Sequence, residues 1–118
     1  MPSSKQSHTV ASHFEKSSPS VRDTYKSILK AARELGSVHE EPKKTSIHLV
    51  RKSAFAGIAT RKDALILTLK SDRAVKSERI RRREQVSSHR WHVEIRLESP
   101  AEVDSEIRDL LRAAYDIS

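Results

Sequence analysis

Basic side chains are the residues of this 118-residue chain best suited to bind a ligand. An arginine-rich run occupies residues 79–83, and guanidinium groups of this kind bind phosphate oxygens through paired hydrogen bonds. Further lysines and arginines stand in two turns between predicted strands, which we expect to lie at one end of the sheet and to form an anion pocket there. The candidate anion- or nucleic-acid-binding residues are Lys43, Lys44, Arg61, Lys62, Arg79, Arg81, Arg82, Arg83 and Arg90.

The same residues have a simpler interpretation as solvated charge. A run of like charges commonly serves solubility, and lysines at strand ends protect the edges of a sheet from aggregation. Trp91 also has two interpretations. Its position next to Arg90 is compatible with stacking on a nucleic-acid base, whereas its alternation with Val93 and Ile95 is typical of a residue on the buried face of a strand. That alternation favours core packing for Trp91.

The charge is unevenly distributed along the chain. The net charge is +7, and residues 43–96 contain 15 basic and five acidic side chains. Residues 97–118 contain two basic and six acidic side chains. Such asymmetry points to an anionic partner, with nucleic acid as the leading candidate. The alternative is that the acidic C-terminal segment neutralises the basic one within the fold.

The sequence gives little support for an enzyme or a metal site. There is no cysteine, and two glycines are too few for a phosphate-cradling glycine loop. His89 and His92 are three residues apart in a predicted strand and therefore lie on opposite faces. We predict no catalytic residue, no cofactor and no metal ligand.

The helices are indicated by apolar spacing and by capping residues. Thr9 is suited to begin a short helix that reaches Glu15, and Ser18 followed by Pro19 begins a longer one that Gly36 closes. Apolar residues of the longer helix recur at helical spacing from Val21 to Leu35. A last helix is predicted from Ser99, where Pro100 and Glu102 complete a capping box.

Between the helices the apolar residues alternate as in strands. Strands are predicted at 37–41, 45–50, 53–60, 64–70 and 90–97, and a bulge or a close backbone approach is predicted at Gly57. Residues 71–86 are polar, and we predict a loop there with a short strand or turn near Ile80. The fold class is therefore α+β: an antiparallel meander of four to five strands with two long helices on one face.

The chain is expected to form one domain, residues 9–118, preceded by a flexible tail at residues 1–8. No apolar run approaches the roughly 18 residues of a membrane span, and the first eight residues do not resemble a secretory signal. A cytoplasmic protein that does not associate with a membrane is the expectation.

Several short pieces of sequence, in a fixed order, resemble a small bacterial family of domains of unknown function, number 5655, some of whose members carry the label "predicted transport protein". The resemblance extends from His8 to Ile117. It implies an α+β domain that also occurs fused to other domains and has no established reaction. The pieces are His8-Thr9-Val10, Phe14, Ser18-Pro19, Leu35-Gly36, Pro42, Lys44-Thr45, Ile47, Phe55-Ala56, Arg61-Lys62-Asp63, Arg96-Leu97, Ser99-Pro100, Val103-Asp104 and Ala114-Tyr115.

These observations favour a non-enzymatic binding module that contacts nucleic acid or another polyanion through a basic sheet face and an arginine-rich loop. A protein-interaction or homodimerisation domain is the first alternative, acting through an open sheet edge or the acidic face of the last helix. A small-ligand-binding domain with a pocket between sheet and helices is the second.

Overall fold

The computed structural model describes residues 8–118, so all but the last residue of the predicted tail lies outside the described part. Six antiparallel strands form one sheet in the order β1-β2-β3-β4-β6-β5. Two helices accompany the sheet, which confirms the α+β class, with one more strand than the sequence predicts. The strands are β1 His39–Pro42, β2 Ile47–Val50, β3 Ala54–Thr60, β4 Leu65–Ser71, β5 Ile80–Ser87 and β6 Arg90–Leu97.

Strands β1 to β4 form the predicted meander, but the last two strands depart from it. Strand β6 lies between β4 and β5, so the chain crosses β6 on its way from β4 to β5. The predicted loop is present at residues 72–79, but the short strand or turn predicted near Ile80 is a strand of eight residues. Strand β5 lies at the edge of the sheet and exposes every side chain after Ile80, so it lacks the apolar alternation that marks a half-buried strand.

Helix α1 spans Pro19–Arg33, close to its predicted limits. Its N-cap Ser18 is extended, and Pro19 occupies the first helical position. The stripe that includes Val21, Tyr25 and Ile28 is buried. The backbone amide of Ser18 also donates to the carbonyl of Lys62, which ties the start of the helix to the turn between β3 and β4.

The first and last helical segments differ from the prediction. The N-terminal one is a 3-10 helix at Ala11–Phe14. At the C-terminus the capping box of Ser99 and Glu102 is present but begins a 3-10 helix, Pro100–Glu102. Helix α2 starts afresh at Ser105 and runs to Asp116. The interruption falls at Val103, which is buried with a non-helical backbone, while Asp104 supplies a second N-cap.

The helices cover one face of the sheet, here called the inner face. Leu65, Leu67 and Leu69 of β4 point to it together with their β6 partners, and all are buried. An irregularity at residues 54–56 places Phe55 there too, edge-on to Tyr115 of α2. The bulge thus falls beside Phe55, and the bulge predicted at Gly57 is wrong because Gly57 pairs regularly on both sides.

Trp91 extends the inner-face row of β6 but is only half-buried. Its partners across the neighbouring strands are Ser71 and Gln85 rather than apolar side chains. The core packing predicted for Trp91 is therefore incomplete.

The opposite face, here called the outer face, carries no helix of the described chain. The registers assign to it alternate residues of each strand, including His48 of β2, Gly57 of β3, Thr68 and Lys70 of β4, and His92 of β6.

Candidate functional site

The structure separates the sequence-predicted basic residues into two groups. Lys43, Lys44, Arg61 and Lys62 lie in turns at one end of the sheet, as expected. The remaining five lie on or beside β5 and β6, at the opposite edge from β1. More than four strand spacings of about 4.8 Å separate the β1–β2 turn from β5. The nine residues therefore do not form one surface.

Arg79 is neutralised inside the fold. Its guanidinium donates to both carboxylate oxygens of Asp104 at 2.8 and 2.9 Å, to Glu106 at 3.3 Å and to the carbonyl of Glu102 at 2.7 Å. The hydrogen bond from Arg79, together with that from the backbone amide of Ile107, holds the pKa of Asp104 below its usual value. For Arg79, the structure therefore agrees with the alternative interpretation of the charge asymmetry, in which the acidic C-terminal segment neutralises the basic segment within the fold.

The arginine run of β5 is divided between the two faces of the sheet. Arg83 pairs with inward-facing Val93, and its guanidinium donates to the carbonyls of Val75 and Ser77 at 2.5 and 3.3 Å. Arg83 thus anchors the chain that crosses β6. Arg82 pairs with outward-facing Glu94, while the register skips Arg81 as the extra residue of a bulge.

The turn residues at the other end of the sheet mainly hold the N-terminal segment in place. His13 Nε2 lies 2.8 Å from the carbonyl oxygen of Lys43, and the hydroxyl of Ser17 donates to the carbonyl of Arg61 at 2.8 Å. A cavity of about 490 Å³ lies beside Arg61 and Lys62, but Glu15 also lines it. Lys43 is 3.4 Å from Glu41, which further weakens the case for an anion pocket.

A different set of basic residues converges on the outer face. Lys70 of β4 lies directly across from His92 of β6, and Arg90 is the next outward residue of that strand. Burial and, after it, the nearby charge of Arg90 lower the pKa of Lys70. The Lys70 ammonium donates to the neutral hydroxyl of Ser53 at 2.9 Å. With Arg82 on the adjacent β5, we call Lys70, Arg82, Arg90 and His92 the outer-face cluster.

Carboxylates neutralise this cluster only in part. Within residues 8–118 no carboxylate oxygen lies within 4.0 Å of Lys70 or Arg90. Arg82 stands 3.9 Å from Glu84 and 4.0 Å from Glu94, at the limit of an ion pair. Arg73 lowers the pKa of Asp72 through a hydrogen bond and its charge, and the nearby charge of Arg90 lowers it further, so Asp72 balances Arg90 in part. Lys70 and Arg90, held close together, still favour an anion at this site.

A groove of about 280 Å³ runs from this cluster across the centre of the outer face. Its floor is β3, where Gly57 and small neighbours leave a depression, and His48 and His92 stand on the β2 and β6 sides. A Cβ atom at Gly57 would meet the ring carbon Cδ2 of His48 at 3.8 Å and no other atom within 4 Å, so space is open above it. The groove residues are Ser46, His48, Ala54, Phe55, Ala56, Gly57, Ala59, Thr68, Lys70 and His92.

Sequence reasoning selected Arg82 and Arg90 but missed Lys70, His48 and the groove. The signal lay in the period-two alternation that places Thr68 and Lys70 opposite the apolar face of β4. Strand order was not readable from the sequence, so nothing indicated that β4 and β6 are neighbours. Across residues 8–118 no three His, Asp or Glu side chains are grouped to hold a metal ion.

Three comparisons with known proteins bear on this chain. A family model described as a domain of unknown function, DUF5655, matches residues 10–118. No curated protein and no solved structure gives a match. Among the described residues no helix is both long and apolar enough to cross a bilayer.

Proposed function

We propose that this chain, which belongs to the DUF5655 family of domains of unknown function, is a non-enzymatic module that binds nucleic acid through the outer face of its sheet. The observation that carries the proposal is the outer-face cluster. Lys70 and Arg90 lie close enough for one to lower the pKa of the other. In the described chain no carboxylate oxygen lies within 4.0 Å of either, and Asp72 balances Arg90 only from a greater distance.

A bound phosphate would relieve this repulsion. An anion placed between two cations favours the charged state of both. The repulsion between Lys70 and Arg90, which is unfavourable in the unbound domain, is then replaced by attraction to the ligand. Lys70 uses one of its three N–H donors on Ser53, which leaves two for a ligand. Arg90 donates to the carbonyl of His89 through one nitrogen and retains further donors for a phosphate oxygen.

The geometry of the surface suits an extended polyanion better than a single small anion. Arg82, Arg90 and Lys70 lie on β5, β6 and β4, so the cations follow a path across three neighbouring strands. The register places Arg82 across from Glu94, four residues along β6 from Arg90. About 13 Å of strand therefore separates the two positions, and only an extended ligand reaches both. No element of the described chain covers this face.

Removal of the cluster charges tests the proposal. In a variant with Lys70→Gln, Arg82→Gln and Arg90→Gln, affinity for a labelled oligonucleotide in low salt should fall by at least tenfold. The matched control replaces Lys43, Lys44 and Lys62 by Gln, which removes the same charge at the far end of the sheet and should have a much smaller effect. Equal losses in the two variants would contradict the proposal, because they would indicate attraction by net charge alone.

A second candidate is homodimerisation through β5, and the exposed edge of this strand favours it. Strand β5 is eight residues long, pairs with β6 on one side, and exposes Val86 at 48% of its surface. An edge of this length can pair with a second copy. Size-exclusion chromatography with light scattering discriminates between the candidates. If the chain pairs through β5, the wild-type chain should have the mass of a dimer and the Val86→Lys variant that of a monomer.

A further inference from the structure

The groove adjoins the outer-face cluster, and both share Lys70 and His92. On the basis of the function proposed above, we infer that the groove receives one unpaired nucleotide, and hence that the ligand is single-stranded nucleic acid rather than a duplex.

The size of the groove supports this assignment. Its volume of about 280 Å³ lies close to the lower end of the roughly 300–1,000 Å³ of small-molecule pockets, so it suits a single nucleotide. A base in a duplex must lose both its stacking and its base pairing to enter such a depression, and this costs free energy. The free-energy cost of exposing one base is much smaller for a single strand.

The chemistry of the lining fits a nucleotide in both of its parts. Among the lining residues, Ala54, Gly57 and Ala59 lie on the outer face and are small and apolar, which suits the faces of a base. Imidazole rings from His48 and His92 flank this floor, and histidine is among the side chains on which unpaired bases stack. The remaining polar groups are Ser46, Thr68 and Lys70, which donate hydrogen bonds, and no carboxylate contributes to the lining.

The groove also connects with the path of cations. Lys70 stands at the boundary, where it is able to contact the phosphate of the nucleotide in the groove, and Arg90 follows on β6. Arg82 lies further along β5, beyond Glu84, which is directly across from His92. A strand with one base in the groove can therefore place its adjoining phosphates along β6 and β5. The inner face offers no comparable route, because the helices and the crossing chain occupy it.

Gly57 provides a direct test because its side-chain position is empty. Gly57→Val fills the floor of the groove, and valine suits a strand interior better than glycine does, so the thermal midpoint should not fall. Gly57→Ala is a milder second variant, whose Cβ makes an ordinary contact with His48. Gln85→Val is the matched control, because it adds the same apolar side chain to an exposed position of β5 on the inner face, across from Trp91 and away from the groove.

The experiment measures fluorescence anisotropy of a labelled 12-nucleotide RNA, single-stranded or annealed to its complement, in low salt. The wild-type chain should prefer the single strand by on the order of tenfold, as expected for contacts to one base. Gly57→Val should remove most of that preference, Gly57→Ala part of it and Gln85→Val none. Equal binding of both forms with no effect of Gly57→Val overturns this inference and leaves the proposed function intact. Absence of binding to both forms overturns the two together.

Discussion

The two glycines of the chain meet opposite constraints. Gly36 has a φ of +152°, and a Cβ atom there would lie 2.5 Å from the phenolic oxygen of Tyr115. That phenol donates to the carbonyl of Ser37 at 2.9 Å, so Tyr115 is fixed against the turn after α1. Gly57 has neither a positive φ nor a close neighbour. One glycine is thus required by the fold, and the other leaves the groove open.

Gly36→Ala should lower the free energy of unfolding by about 1–3 kcal/mol, because it adds backbone strain and forces Tyr115 to move. Gly57→Ala is the matched control and should be neutral or stabilising by up to about 1 kcal/mol. Urea denaturation followed by circular dichroism measures both. Equal stabilities for the two variants would show that Tyr115 does not pack against Gly36.

Arg51 shows why the role of a single basic residue is hard to read from sequence. Its position in a turn favours solvated charge, yet its guanidinium lies 4.6 Å from the centre of the Tyr115 ring and donates to the Tyr115 carbonyl at 3.0 Å. Arg79 and Arg83 likewise hold parts of the fold together. The contacts of Arg51 and Arg79 join residues far apart in the chain, and those of Arg83 depend on how the loop before β5 folds back. No pattern in the sequence reports such contacts.

Helix α2 depends on Asp104 for its start. The carboxylate accepts from the backbone amide of Ile107 at 3.2 Å and from Arg79 at 2.8 Å. Asp104→Ala removes the cap and should cost about 1 kcal/mol of unfolding free energy, whereas Asp104→Asn retains a good N-cap and should cost less. Urea denaturation at neutral pH should rank the stabilities wild type, Asp104→Asn, Asp104→Ala, and any other order would contradict the assigned cap.

The same carboxylate predicts a pH dependence. Because its pKa in the folded chain is below the unfolded value of about 3.9, its contribution is fully present above that value and is lost as the pH falls through the lower folded value. Between about pH 5 and pH 2, the wild-type chain should lose more stability than Asp104→Asn. Urea denaturation across this range measures the difference, and parallel curves would indicate that Arg79 does not stabilise the ionised form.

Strand β5 is longer than the short strand or turn predicted near Ile80, and hydrogen exchange tests its pairing. Amides of the central strand β6 should exchange slowly, because that strand is paired on both sides. In β5, the amides directed at β6 should be protected and those at the open edge should exchange fast. Uniformly fast exchange over residues 80–87 would instead support a loop there.

The elements that the sequence predicted best are those with one buried face. The stripe of α1 and the alternating leucines of β4 lie within a residue or two of their predicted limits, and β6 matches its limits. The sequence could not predict the order of β5 and β6, since edge strand β5 buries little and carries no alternation. The groove was equally hidden, because it depends on which strands are neighbours.

At the scale of the whole molecule, the basic side chains of residues 43–96 lie in two kinds of environment. Some are used internally, as in the pairing of Arg79 with Asp104 and Glu106. Others reach the uncovered outer face, where Lys70 and Arg90 lack a carboxylate partner within 4.0 Å in the described chain. The helices and the acidic C-terminal segment lie on the inner side, while Asp72, Glu84 and Glu94 balance the outer-face cations only in part. The outer face therefore keeps basic charge, centred on Lys70.

The salt dependence of binding tests this central claim most directly. Affinity for a labelled single strand, measured over a range of salt concentrations, should fall linearly on a log–log plot by roughly 0.7 per phosphate contacted. Replacing Lys70, Arg82 and Arg90 by Gln should reduce that slope by about 2. A slope that is flat, or that is the same in this variant as in the wild-type chain, would contradict the claim that the outer face binds nucleic acid.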